Sequence, residues 1–253
     1  MDNFEEYEDP YLYDQENSSL TADISFLSKM AEKCSGPIID LACGTGRATV
    51  PLAKLGHHII GIDIHTGMLE AAKKKTSSLN LPIEWMEQDC TRLNMDIKTD
   101  FIYSVGNSFQ HFLTNEEQDG LLVSVHKLLK KDGLFIFNTR FPSTEELLQP
   151  PTEEYWRSYT DSKSHLIVDV FTISRYDSLS QTQHYTTIRK YKGINQKTIA
   201  EKRTTITLRY VFPKEMERLL PAHGLKIVEI YKDWQGTLLD NDSYEMVYVC
   251  QKI

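Results

Sequence analysis

The 253-residue chain is poor in the features that several function classes require. Its four cysteines, Cys34, Cys43, Cys90 and Cys250, fall at no zinc-ligand spacing and form no C-x-x-C pair. They read as small buried side chains, and a reducing cytoplasmic location is expected. No apolar run approaches the ~20 residues that cross a bilayer, and no secretory leader pattern opens the chain, so no membrane partner is expected. Positive charge is in deficit, with 28 Lys and Arg against 36 Asp and Glu and a net charge of -8. A surface of that sign repels phosphate backbones, which argues against nucleic acid as a partner. The one basic run, Lys73-Lys74-Lys75, falls at an expected helix C-terminus, where cations are favoured. Metal-ligand spacing is also missing, so the expected metal content is none.

One stretch organises what is there. Pro37-Ile38-Ile39-Asp40 has the length and β-branching of a buried strand that ends on a carboxylate. Ala42-Cys43-Gly44-Thr45-Gly46 turns the chain, and Ala48–Leu55 follows with helical apolar spacing. Strand, glycine turn and helix begin a nucleotide-binding βαβ unit. The glycines permit a sharp turn and close approach of a ligand. A dinucleotide fingerprint needs a third small residue, and Thr49 stands there instead. A second apolar run, His58–Ile62, ends on Asp63, 23 residues after Asp40. A carboxylate at that distance is placed to accept hydrogen bonds from both ribose hydroxyls.

The form acid-x-G-x-G-x-G, read as Asp40-Leu41-Ala42-Cys43-Gly44-Thr45-Gly46 with Ala42 in the first glycine slot, resembles the first motif of the class I S-adenosylmethionine-dependent methyltransferases, of the small-molecule, methyltransferase domain 25-like type. Later motifs extend the resemblance over roughly residues 20–140 and 213–253. It implies S-adenosyl-L-methionine as cofactor, with Ile64 and Met68 covering an adenine face. Asp89 would bond the adenine amino group, and the backbone N–H of Cys90 a ring nitrogen. Ser104, Val105 and Gly106, at the carboxyl end of the fourth strand, would lie under the methionine portion. In related enzymes an N-terminal tyrosine closes over the ligand, and Tyr13 and Tyr11 are the candidates. The adenine N-methyltransferase signature N/D-P-P-Y/F is missing after that strand, which counts against a nucleobase target. His111 is the candidate catalytic base, since an imidazole near pH 7 takes a proton from an attacking amine or hydroxyl. A packing histidine at the pocket wall is its alternative.

In chain order the spacing predicts helices over Thr21–Lys33 and Gly67–Ser77, and strands over Ile83–Glu87 and Phe101–Val105. A helix capped by Thr114 runs to Lys131 and stops at Asp132-Gly133, before a strand at Leu134–Thr139. Alternating runs at His165–Arg175, Gln183–Tyr191 and Lys197–Tyr210 predict antiparallel strands inserted into the α/β pattern. Pro213 opens a further helix, with strands at Leu225–Tyr231 and Ser243–Cys250 after it. The expected fold is α/β, a Rossmann-like three-layer sandwich. It has a seven-stranded mostly parallel sheet with one antiparallel strand, plus an inserted antiparallel β subdomain. Residues 1–19 form an N-terminal arm over the pocket, 20–141 the cofactor-binding core, 142–212 the insertion and 213–253 the rest of the core. The resemblance implies that the insertion walls the substrate pocket, with Arg140, Tyr155, Trp156 and Tyr185 as candidates, or makes a homodimer interface.

The expected activity is methyl transfer to a small-molecule N or O acceptor. A sulfonium-bound methyl is already activated, so alignment does most of the work. An NAD(P)-dependent oxidoreductase on a similar sheet is the alternative, as is a nucleotide-binding partner protein without catalysis.

Overall fold

A computed structural model describes residues 3–253. Five strands run parallel: β1 (Ile38–Leu41), β2 (Ile59–Asp63), β3 (Ile83–Glu87), β4 (Thr99–Ser104) and β5 (Leu129–Arg140). Then come β6 (Glu154–Thr160), β7 (Ile167–Asp177), β8 (Thr182–Lys192) and β9 (Thr198–Arg209), which form an antiparallel sheet of their own in that order. The chain returns through β10 (Leu225–Tyr231) and β11 (Glu245–Lys252) to complete a seven-stranded sheet of order β10-β11-β5-β4-β1-β2-β3. β11 lies antiparallel to both β5 and β10 and is the one reversed strand. This is a Rossmann-like architecture, mostly parallel, with a second antiparallel sheet.

The central parallel strands β1, β2 and β4 are covered on both faces, which is why they read as nearly continuous apolar runs. Side chains alternate between two cores. Ile39, Ile60 and Phe135 face one, with α5 (Asn115–Leu128) and α7 (Pro213–Ala222) packed over it. Ile38, Ile59 and Ile136 face the other, under α2 (Ala22–Ala31) and α3 (Thr49–Lys54). Phe109, Phe137, Phe135 and Tyr248 stack in a ladder with centroids 4.8–5.1 Å apart. Burial pushes the Cys90 thiol up to about 12 and raises those of the buried Cys43 and Cys250 and of the half-buried Cys34, which disfavours the reactive thiolate. Among the described residues no helix is long and apolar enough to cross a membrane.

Several local expectations are corrected. The helix after Thr114 has the expected capping box with Glu117 but ends at Leu128, and Leu129 is already extended and fully buried. Asp132-Gly133 is an irregularity within β5, not a helix stop: Asp132 takes φ 63° and the register with β4 jumps between Thr99 and Phe101. Lys252 Nζ takes over the end of the helix by donating to the carbonyls of His126 and Leu129. Thr21 precedes α2 without a side-chain cap bond. The insertion has a fourth strand, β6, which the sequence pattern did not announce because five of its seven residues are solvent-exposed.

The N-terminal segment is ordered into a 3-10 turn, Asn3–Tyr7, and α1 (Pro10–Asn17), capped by Asp9. It bridges the two sheets. On the core side, Asp14 accepts from Thr45 Oγ1 of the glycine turn (2.5 Å) and from Lys75 Nζ of α4 (Thr66–Thr76; 2.8 Å). Toward the second sheet, Arg189 of β8 is 1% exposed. It donates to Glu16 through Nε (2.7 Å) and Nη2 (2.8 Å), to Glu6 through Nη2 (2.6 Å) and to Thr204 Oγ1 through Nη1 (2.6 Å).

Removing one member of a buried ion cluster leaves its partners charged and unpaired, at a cost of about 3–5 kcal/mol. Arg189→Met is therefore expected to lower stability by that order in urea titration and to expose α1 to limited proteolysis. Adding Glu16→Gln in the same chain should recover part of the loss. A wild-type midpoint for Arg189→Met would show that the arm is held by something else.

Candidate functional site

The turn after β1 is built from left-handed backbone. Ala42, Gly44 and Gly46 have φ of 55°, 56° and 81°. Glycine takes such angles freely, whereas alanine there costs roughly 1–2 kcal/mol. Ala42 is thus a strained residue in a glycine slot. The turn is pinned to the end of β2: Cys43 N–H donates to Ile62 O (3.0 Å), and Gly44 N–H donates to Asp63 Oδ2 (2.7 Å). Asp63 Oδ1 accepts from His65 N–H (2.8 Å). Burial raises the pKa of Asp63, and these two N–H groups oppose the rise. Two of its ~four acceptor directions are used, and the others remain for a ligand.

A cavity of about 890 Å³ opens over the carboxyl ends of the parallel strands, walled on the far side by the arm and the second sheet. Of the sequence-derived candidates, Tyr13, Ala42, Gly44, Asp63, Ile64, Met68, Asp89, Cys90, Gly106 and His111 lie on its wall. Five do not. Asp40 sits beneath the turn within β1, accepting from Thr49 Oγ1 (2.6 Å) while its Oδ1 has no partner. The Tyr103 hydroxyl is close enough to affect its charge but is not aligned for a hydrogen bond. The Cys43 thiol points back toward Gly61. Gly46 packs on Trp85, where a Cβ would stand 2.5 Å from Trp85 Cη2. Ser104 is buried at the end of β4, and Val105 packs against the core under α2 and α3.

Other residues have mixed fates. Asp89 is on the wall, but its carboxylate caps a 3-10 turn through Thr91 N–H (2.9 Å) and pairs with Arg92 (2.8 Å), which holds its pKa down. Arg140, Trp156 and Tyr185 line the cavity, whereas the exposed Tyr155 packs edge-on against Phe171. Tyr11 turns outward to Asp161 and Ser162. Tyr7 and Glu146 line the cavity and had no sequence signal beyond residue type.

Two polar groups deserve detail. Arg140 Nη1 donates to Glu146 Oε1 and to Tyr185 Oη, both at 2.9 Å. The hydroxyls of Tyr185 (2.7 Å) and Tyr210 (2.5 Å) donate to the same Glu146 oxygen. Nε and Nη2 of Arg140 make no hydrogen bond among the described residues and remain available to the cavity. His111, at the end of the 3-10 turn Ser108–His111, is half-buried at the cavity wall, and its desolvation drives its pKa down to about 4. Its Nε2 lies 2.9 Å from Tyr7 Oη and its Nδ1 3.2 Å from Asn3 Nδ2.

The wall fits an adenosyl sulfonium better than a dinucleotide. A Cβ at Gly106, where φ is 74°, would meet no atom within 4 Å, so glycine keeps that part of the cavity clear. Asp63 offers acceptors for a diol. Arg47 is committed to Asp23 through both terminal nitrogens (2.9 and 2.5 Å), and Arg92 to Asp89, so neither is free for a diphosphate. Among the described residues no group of His, Cys, Asp and Glu is arranged to hold a metal ion.

Fold and site together define a class I methyl-transfer enzyme. Residues 38–133 match the family model described as "Methyltransferase domain". Putative methyltransferase YqeM of Bacillus subtilis (strain 168) is 28% identical over 233 residues, covering 86% of this chain and 84% of that protein. Glycine/sarcosine N-methyltransferase of Aphanothece halophytica is 21% identical, with 90% and 80% covered. The crystal structure of an S-adenosylmethionine-dependent methyltransferase from Clostridium acetobutylicum ATCC 824 superposes with a TM-score of 0.79 at 18% identity, covering 96% of each chain. Residues 38–133 therefore carry that methyltransferase domain, and the chain is an S-adenosylmethionine-dependent methyltransferase with S-adenosyl-L-methionine as its methyl donor.

Two measurements test the turn. Ala42→Gly should raise stability by about 1 kcal/mol, because it removes left-handed strain; an unchanged or lower urea midpoint would refute the strain. Burial lifts the Asp40 pKa from 3.8 to about 7. The folded chain then holds that proton more tightly than the unfolded one, so Asp40's contribution to stability is full below about pH 4 and is lost as pH rises to 7. Relative to the non-titrating Asp40→Asn, the wild type should lose on the order of 4 kcal/mol across that window, at ~1.36 kcal/mol per unit. A pH-independent difference would place the Asp40 pKa near its ordinary value.

Proposed function

We propose that the chain methylates the amine of a small molecule that also carries an anionic group. The observation that carries this reading is the Asp63 carboxylate, anchored by the Gly44 and His65 N–H groups and facing a half-open cavity with the unpaired side of Arg140 on its wall. Asp63 would hold the ribose hydroxyls of the methyl donor, Ile64 and Met68 its adenine, and Gly106 the space for its methionine portion. When bound, S-adenosylmethionine supplies a methyl group on a sulfonium leaving group. Arg140 would seat the acceptor through two N–H donors, as a fork matched to a carboxylate. Residues 1–19 act as an arm and 142–212 as a lid on the donor-binding core.

An amine is favoured over a hydroxyl because both His111 nitrogens are engaged, which leaves that imidazole no site for the proton of an alcohol. A neutral amine needs no such base. The methylated nitrogen carries the positive charge that the sulfur gives up and then releases a proton. Relatives named glycine/sarcosine N-methyltransferase support the choice of nitrogen, and glycine has an amine and a carboxylate in one small molecule.

Calorimetry with S-adenosylhomocysteine and with NAD in parallel tests the donor site. Binding of the first alone is expected, with Asp63→Asn weakening it about 10- to 100-fold, the scale of charge-assisted hydrogen bonds. Heat with NAD only would sink the reading. With a panel of small amino acids as acceptors, turnover should rise with pH through the acceptor amine's pKa and then level off. A flat profile would rule out the amine.

A further inference from the structure

The tautomer of His111 is fixed by groups outside the ring. Asn3 bonds the backbone of Thr207 on β9 with both ends of its amide: Nδ2 donates to the Thr207 carbonyl (2.6 Å), and Oδ1 accepts from the Thr207 N–H (2.9 Å). That pairing leaves only one orientation of the amide, so the atom 3.2 Å from His111 Nδ1 is a donor. Nδ1 must then accept, and the proton of the neutral ring sits on Nε2. Nε2–H in turn donates to Tyr7 Oη at 2.9 Å. The phenol oxygen is occupied from that side, and its own proton has no partner among the described residues. The Tyr7 side chain lines the cavity. Its ring leans on Tyr13, centroids 5.8 Å apart, and Tyr13 stands against Gly44 of the turn, so Tyr7 belongs to the methyl-donor side.

From Asn3 onward the bonds point one way, from its amide through His111 and Tyr7 into the cavity. In such a row each donor polarises the next. We propose that His111 is a positioning residue and not a base, and that it turns the Tyr7 hydroxyl into the cavity as the donor for the carboxylate of the bound methyl donor. This rests on the reading of the cavity as a methyl-donor site. Burial keeps the imidazole neutral, and no charged side chain contributes to its shift. The groups facing the Tyr7 hydroxyl are Tyr13, Glu6, Asp63 and Arg140; burial, the largest effect, keeps the phenol protonated. The arrangement makes donor binding sensitive to the seating of the second sheet, because Asn3 is oriented by β9.

The test combines a spectroscopic and a binding measurement on the full chain. Nitrogen-15 NMR of the imidazole in the ligand-free protein should show the Nε2–H tautomer, unprotonated from about pH 5 to 8. An Nδ1–H tautomer, or a titration near the ordinary histidine value, overturns the proposal. In calorimetry with S-adenosylhomocysteine, Tyr7→Phe and His111→Phe should each weaken binding about tenfold, the scale of one hydrogen bond to a charged group. The double variant should bind no worse than Tyr7→Phe alone, because His111 acts only through Tyr7. His111→Gln, which retains a donor nitrogen, should recover most of the affinity and covers the case in which His111→Phe does not fold. With 5′-methylthioadenosine, which lacks the carboxylate, none of these substitutions should matter. Additive losses, or equal losses for both ligands, overturn the proposal. Wild-type protein that binds no S-adenosylhomocysteine removes the donor-site reading and this proposal together. Tight binding that Tyr7→Phe leaves unchanged overturns this proposal alone.

Discussion

A buried cation holds the arm against the second sheet and so completes the far wall of the site. Arg189 reaches from the second sheet to two carboxylates of the arm, Glu16 and Glu6, and is almost entirely out of water. A guanidinium in that position is tolerated only because its donors are matched by fixed acceptors. With the pair formed, α1 is clamped between β8 on one side and Thr45 and Lys75 on the other. Without it the cleft at the end of the parallel sheet would lie open to solvent, since the arm supplies Tyr7, Tyr13 and Glu16 to its wall. Ion pairs and hydrogen bonds thus hold much of the arm across the cavity. An ionic closure is compatible with an arm that lets a ligand in and out, because water can solvate the separated charges when it opens.

The parallel sheet was legible because its physics is local. Strands such as Ile59–Asp63 are buried on both faces and appear as apolar runs, and a left-handed turn leaves glycines behind it. Asp63 could be placed for the same reason: it must follow the second strand. What escaped was whatever depends on distant parts of the chain. Gly46 looked like a ligand glycine but answers to Trp85, which is brought there only when β3 pairs with β2. Asp40 has the spacing of a binding carboxylate, yet the strand carries its side chain under the turn. The arm gave no periodic signal because the buried Glu16 and the half-buried Glu6 are its anchors, so polar residues stand where apolar ones would mark an inward face. The outer strand β6 was missed because exposed positions carry little pattern.

His111 shows how the same residue changes meaning with its surroundings. In sequence it is an imidazole near an expected pocket, and general base is the natural role. In the fold both ring nitrogens are engaged and the cationic form is disfavoured by burial, so the ring transmits orientation in place of accepting protons. Methyl transfer from a sulfonium tolerates this loss. The leaving group needs no protonation, and alignment of nucleophile and methyl carries most of the barrier reduction.

The charge distribution of the wall supports the same chemistry. Glu16 and Glu6 are matched by Arg189, Asp89 by Arg92 and Glu146 by Arg140. Among the described residues that leaves Asp63, Glu117 and Glu245 as the wall carboxylates without a basic partner; Glu117 is taken up in the capping box with Thr114, while burial raises the pKa of Asp63 and Glu245, the latter accepting from the Asn138 amide at 2.5 Å. A bound cation would favour their ionised forms, and by linkage those forms would favour the cation. The sulfonium carries that positive charge before transfer and the thioether lacks it after. On this reading the two carboxylates hold the donor more tightly than its product, so the transfer itself weakens the grip on the spent cofactor and helps to empty the site for the next turnover.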